Sequence, residues 1–347
     1  FNEIPYKRPD LDLLIGNINT LISNFKKAKS SKIQIDLMKQ IKEVRNEMET
    51  CQSIVNIRHS INTKDEYYDN ENKFFDENSP RYTAAVNEYY SAVVRSPFKK
   101  ELSYEFGEHF INLAQVKEDS FDQNCIPFLK EENKLTSEYN VIIAQLEIIV
   151  EGEKYSIGNI SPLLSSSDRS LRKKAAEALY GALESKQDAF DQIFHKLVQI
   201  RHEMAVKMGY ENYVELGYKK LNRTDYNSKD VAEYRKAIHD YVVPVVKKLK
   251  ERQKNRLGLD LMKYYDAGFK FKSGNPKPKG TPEEIVKNGE IMYKELSEET
   301  DEFFQFMLKH ELMDLNSREG KMAGGYAAII GKYKYPFIFS NFKFDYY

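Results

Sequence analysis

The stretch "KHELMDL" (309–315) brings His310, Glu311 and Asp314 together in one short segment. A helical His-Glu-x-x-His holds zinc because two imidazoles one turn apart share a face, while the glutamate activates the bound water. Here Asp314 stands where the second histidine would, and a carboxylate can also ligate zinc. On a helix, His310 and Asp314 would share a face. Phe303, Phe306, Met307 and Met313 flank the same arc. The spacing therefore predicts a histidine turned toward packed core, in a helix ending just beyond at Leu315-Asn316. The helix dipole would favour it there, and Asp314 would be its partner. No third donor is suggested nearby.

"HEMAV" (202–206) repeats the near-miss with Val206 in the second ligand place, and valine coordinates nothing. Its surroundings, "KLVQIRHEMAVKMGY", read as an amphipathic helix. His195 and His202 fall roughly on one face, but as a lone pair, and His59, His109 and His239 form no arrangement. "YEFGEHF" and "GNPKPKG" lack the glycine spacing of phosphate loops, and no Gly-x-Ser-x-Gly elbow occurs. The tyrosine pairs Tyr67-Tyr68, Tyr89-Tyr90 and Tyr264-Tyr265 could line a peptide channel, although aromatic helix faces usually belong to a core.

The elements that must position such residues are mostly helical. Charged residues make up 31% of the 347, and 16 Gly plus 11 Pro are few helix breakers for this length. Apolar residues recur at helical spacing over 11–27 and 32–61. Further helices are expected over 80–95, opening after "NSP", over 97–117 and over 119–140. "VIIAQLEIIVEGEKYSI" (141–157) reads as a short β-hairpin turning at Glu151-Gly152, or as a buried helix followed by a loop. Serine and aspartate caps restart a helix in "SSSDRSLRKKAAEALYGALESK". The clearest helix is 229–257, with Val231, Tyr234, Ile238, Tyr241, Val242, Val245 and Leu249 on one face, an internal kink at Pro244 and Gly258 as its cap. Thr281-Pro282-Glu283-Glu284 spells a capping box with proline in the first turn, and Ser297 caps the next helix. After Gly320, "AGGYAAIIGKYKYPFIFSNF" reads as paired strands with a turn near Gly331.

Lys+Arg and Asp+Glu are both 53. That balance argues against nucleic-acid or anionic-membrane binding. Cys51 and Cys125 suit neither a disulfide framework nor a thiolate zinc knot, which points to a reducing compartment. The most apolar run is too short for a membrane span and no leader is visible. A soluble cytoplasmic protein is expected.

On its residues alone, the sequence describes a helical protein with a small β element and no complete catalytic constellation. Three stretches add to this. "GYKKLNRTDYN" (217–227), "RQKNRLGLDLMKYYDAGF" (252–269) and the strand-rich "AGGYAAIIGKYKYPFIFSNF" (323–342) resemble, in this order, the oligoendopeptidase F family of zinc metallopeptidases, relatives of thimet oligopeptidase and neurolysin. "IPYKRPDL" and "SPLLSSSDRSLRKKAAEALY" fit the same family. The resemblance covers the family's N-terminal part. It implies a mainly α, elongated, two-lobed peptidase fold, incomplete here, with its small β element near the C-terminus. The implied domains are an N-terminal helical domain (1–118), a helical and hairpin segment of the same lobe (119–200) and the first part of the catalytic domain (201–347).

The resemblance also implies that short peptides are the substrates. In the family, zinc sits on a His-Glu-x-x-His helix and a later glutamate, all downstream of a "PFIFSNF"-like strand; here "KFDYY" follows instead. No catalytic residue and no metal ligand is therefore assigned to this chain. Zinc is expected in the full-length family and not on these residues. What carries over is substrate binding by Gly324, Gly325, Tyr326 and Ala327, an edge strand able to pair with an extended peptide backbone. The leading expectation is the N-terminal portion of an oligoendopeptidase, inactive alone, with the family's remaining C-terminal part as partner. The alternative is a non-catalytic helical peptide-binding or scaffold protein.

Overall fold

Side-chain caps open most of the helices. In the computed structural model, which describes residues 1–342, Asp10 accepts the N–H of Leu13 to start α1 (Leu11–Lys27), and Ser30 accepts that of Ile33 to start α2 (Ser31–Ile61). The closing "KFDYY" lies outside the described residues. Asp65 caps α3, and here the expectation is corrected: α3 runs Glu66–Val94, straight through Pro80, rather than starting there. Proline supplies no N–H for the carbonyl one turn back, that of Asp76. The side chain of Asn133 donates to that carbonyl instead, at 3.1 Å.

The single helix expected over 97–117 is two, α4 (Lys99–Phe106) and α5 (Glu108–Asp119). Between them Gly107 has φ +89°, a left-handed setting no helix continues through. Ile18, Phe25, Ile41, Met48, Phe75, Leu102 and Ile111 interlock in the core these helices share. The helix expected over 119–140 is also displaced. A 3-10 turn at Gln123–Cys125 leads into α6 (Ile126–Ala144), whose end takes in the first part of the apolar run. The hairpin is shorter than its sequence signal: β1 (Ile148–Val150) and β2 (Glu153–Tyr155), joined by Glu151 and Gly152, both at positive φ.

Then follow α7 (Ser161–Leu164), α8 (Arg169–Glu184) on its Asp168 cap, α9 (Gln187–Lys207) and α10 (Tyr213–Lys220). The expected helix 229–257 is α11 (Ser228–Ala237) and α12 (Val243–Leu257), joined by a π-helical turn at Ile238–Val242 and ended by Gly258 in the left-handed region. The irregularity sits just ahead of Pro244, where the N–H is missing. α13 (Pro282–Leu296) opens on the Thr281–Glu284 capping box and α14 (Glu298–Lys309) on Ser297, both as the spacing predicts.

A three-stranded sheet closes the described chain. β5 (Tyr335–Phe339) lies between β3 (Met313–Asp314), to which it is parallel, and β4 (Tyr326–Ile330), to which it is antiparallel. Phe337, Phe339, Ile330, Leu312 and Met307 pack with Ile54 and Ile57, so the sheet rests on α2. A buried charge cluster anchors α8. Asp266 is fully buried, and both Arg172 (2.9 Å) and Arg169 (2.8 Å) donate to it, as does the Lys263 backbone N–H. Burial pushes the Asp266 carboxyl up, but these donors outweigh it and bring it down to about 2.

Candidate functional site

His310 and Asp314 do not share a helix face. α14 ends at Lys309, Glu311 turns left-handed (φ +50°), and Asp314 belongs to β3. The ring of His310 is half-buried between Phe306 and Tyr335 (centroids 4.6 and 5.0 Å). Asp314 is not its partner. Arg318 donates to Asp314 at 2.6 and 2.9 Å and buried Lys321 at 2.5 Å, and Lys321 also donates to the carbonyls of Asn316 and Ser340. Asp314 is thus the counter-ion of a buried lysine that ties the β3–β4 connection to the end of β5. His202 and His195 lie exposed on α9. Among the described residues no group of three or more His, Cys, Asp or Glu could hold a metal.

The four expected binding residues lie at the start of β4. Gly324 has φ +88°, and a Cβ on Gly325 would stand 3.1 Å from the Phe339 carbonyl oxygen. Both glycines therefore have local backbone reasons, beyond any approach by a ligand. Tyr326 stacks on Phe339 across the ladder (centroids 4.7 Å). Ile338 gives its N–H to Leu312 on the β3 side, at 2.9 Å. Its opposite number, Ala327, is consequently the kind of pair that exchanges no ladder bonds, and the N–H and C=O of Ala327 point out of the sheet. β4 is a sheet edge, and Ala327 is exposed on it. The edge is bounded at one end, where Ser53 of α2 donates to the Ile329 carbonyl (3.1 Å). At the other end Asn341, just past β5, donates to the Gly324 carbonyl (2.8 Å) from the β5 side.

Beside this edge opens a cavity of 450 Å³, with Tyr326 and Ala328 on the strand side and side chains of α2, α3 and α6 opposite. Those walls are amides and hydroxyls: Gln52, Asn56 and Ser60 from α2, Asn72 and Ser79 from α3, Asn133, Ser137 and Asn140 from α6. Asp76 is the one carboxylate among them, and no lysine or arginine joins it. Ser137 (2.6 Å) and Asn72 (3.2 Å) donate to its Oδ2. Burial, helped by the charge of Asp69, holds the Asp76 carboxyl above its ordinary value against the Ser137 hydroxyl. His59 is buried, its Nε2 without a hydrogen bond and 3.6 Å from Asp69 Oδ1. Burial lowers its pKa in spite of Asp69. A second cavity, of 710 Å³, shares the walls formed by His59, Asn72, Asp76 and Ser137. Sequence reasoning passed over this groove. Its signal was a stripe of short polar residues at helical spacing, Asn72-Asp76-Ser79 on α3 and Asn133-Ser137-Asn140 on α6.

Residues 1–121 match the model of the peptidase M3 N-terminal domain, and residues 162–345 match that of peptidase family M3. The chain belongs to peptidase family M3. Among solved structures it is similar to PZ peptidase A, seen with an inhibitor, at 43% identity and TM-score 0.98, over 99% of this chain and 61% of that one. A Bacillus anthracis protein assigned as an oligoendopeptidase F has 41% identity and TM-score 0.96, over 99% of this chain and 63% of its own. Another protein assigned as an oligoendopeptidase F has 42% identity and TM-score 0.96, over 98% and 60% respectively. Comparison with curated proteins gives no match. The chain thus spans 60% to 63% of the length of these M3 relatives. It shares the mainly helical M3 fold, and no helix among the described residues is long and apolar enough to cross a membrane. The M3 family is zinc-dependent, and the pair His310 and Asp314 does not fit zinc: His310 stacks on rings and Asp314 is spent on two cations. No hydrolytic step is assigned to them.

Proposed function

We propose that this chain is the peptide-holding portion of a zinc oligopeptidase, with β4 as the strand that pairs with substrate. The observation that carries this is the outward-facing N–H and C=O of Ala327 on an exposed sheet edge beside a polar groove. An extended peptide would add to that edge by main-chain bonds, with Gly324, Gly325, Tyr326 and Ala327 along the contact. Residues 1–118 and 119–200 would form the wall across the groove, and 201–347 the start of the catalytic domain. In a zinc peptidase hydrolysis at neutral pH needs the metal to make its water acidic enough, and the family pattern puts the ligands beyond the "PFIFSNF" strand. These residues alone would therefore hold peptides without cleaving them.

Ala327→Pro tests the edge. It removes an N–H that faces away from β5, so the ladder survives while the peptide loses a bond. Titration of a labelled short peptide should show binding by the parent chain and a loss of about tenfold in the variant. Equal binding by both would refute the strand-pairing reading. A quenched fluorescent peptide should stay intact, and chelator-sensitive turnover by this chain would refute the division of labour. Peptide binding that is indifferent to Ala327→Pro would favour a binding module of another kind.

A further inference from the structure

We infer that the groove beside β4 is a side-chain subsite for a basic residue of the bound peptide, with Asp76 as its counter-ion. The inference rests on the reading that β4 pairs with peptide.

Side chains alternate across a strand, and directly paired residues of neighbouring strands point to the same face. Tyr326 and Ala328 face the groove, whereas Ile329 is 73% exposed on the other side. Every second side chain of a strand added to β4 would therefore enter the groove. What it meets there is one-sided in charge. Asp76 has only neutral donors, Asn72 and Ser137, and both serve Oδ2. Among the described residues Oδ1 has no hydrogen bond. Of the three lysines lining the adjoining cavity, Lys73 pairs with Asp69 (2.6 Å) and Lys130 with Glu77 (2.5 Å), and exposed Lys134 does not line the groove beside β4. A half-buried carboxylate without a cation gains most from a ligand that brings one. The surrounding amide oxygens can accept the remaining N–H groups of an ammonium or guanidinium. His59 adds an unbonded ring nitrogen on the same wall and no competing charge while its pKa stays low. An acidic side chain would face Asp76 with no cation between them.

The test is a titration of this chain with short labelled Ala/Gly peptides that differ at one central position, Lys, Ala or Glu. Lys should bind about tenfold tighter than Ala, and Glu should be weakest. Asp76→Asn should bring Lys to within about twofold of Ala while leaving the Ala peptide unchanged, which also reports that the variant folds. Asn56→Asp, an exposed change on the same wall, should strengthen binding of the Lys peptide alone, and decides the matter should Asp76→Asn fail to bind the Ala peptide. Peptides bound without preference, or a preference untouched by both variants, would overturn the subsite and leave the edge-pairing reading standing. Failure of all three peptides to bind would overturn that reading itself.

Discussion

The helices of residues 11–119 and those of 187–309 carry the same kind of amphipathic pattern and end differently. In the first group Ile18, Ile41, Met48, Phe75 and Leu102 are at or near zero exposure. In the second, Phe194, Tyr241, Val245, Leu249, Leu296 and Phe303 each leave about half or more of their surface in solvent, and α11 and α13 bury no residue at all. Periodicity therefore states which side of a helix is apolar, while it is silent on what covers that side. Beside a small apolar cluster around Met204, Ala205 and Leu216, the second region carries ion pairs on buried carboxylates, Asp266 with Arg172 and Arg169, and Glu132 with Arg201 and Lys220.

Mutations can break this contrast. Asp266→Ala should be the most damaging, costing about 3–5 kcal/mol in urea denaturation, because it leaves Arg172 charged and buried. Arg169→Ala, whose side chain is 45% exposed, should cost under about 1 kcal/mol. Similar values for the two would deny that burial sets the worth of this cluster. Phe75→Ala should cost about 3–5 kcal/mol through the cavity it leaves in the closed core. A loss under about 1 kcal/mol would mean that the first group is no better packed than the second.

Acid sharpens the same comparison. The Asp266 carboxyl is held below its unfolded value, so its stabilising contribution is complete above that value and disappears as pH falls toward about 2. Between about pH 5 and pH 2 the parent should lose about 2 kcal/mol more than Asp266→Asn. Parallel pH profiles would remove Asp266 as the cause. Smallest in stability, the pair Tyr241→Ser and Leu249→Ser should move the urea midpoint by no more than about 0.5 kcal/mol. The same pair should reduce self-association measured by light scattering, since it erases apolar surface. A monodisperse parent, with nothing for the pair to reduce, would show that the exposed face is tolerated by itself.

Much of the fold was legible in the sequence wherever local chemistry decides it. Thr281 with Glu284, Ser297, Asp168 and Gly258 mark helix ends by hydrogen bonds within a few residues, and all four do so in the structure. The errors arose where a distant residue overrules the local signal. Pro80 looks like a helix start until Asn133, from another helix, supplies the missing donor. "HELMD" looks like one more turn of helix, but the chain turns off at Glu311 and Lys321 claims Asp314. Paired strands were readable from the β-prone residues and the glycines beside them, whereas the edge position of one came with the family resemblance. The groove was not readable, because its walls come from α2 and α3, from α6 and from the distant β4, and become one surface only when folded.

The side chain that closes off β4, Ser53 at Ile329, has a consequence for growth. From Gly325 to Ile329 the edge measures about 14 Å at about 3.4 Å per residue. A backbone zipping along it from the Gly325 end meets α2 at that distance. Such a stop denies a sister molecule the unbroken rail on which fibrils are laid.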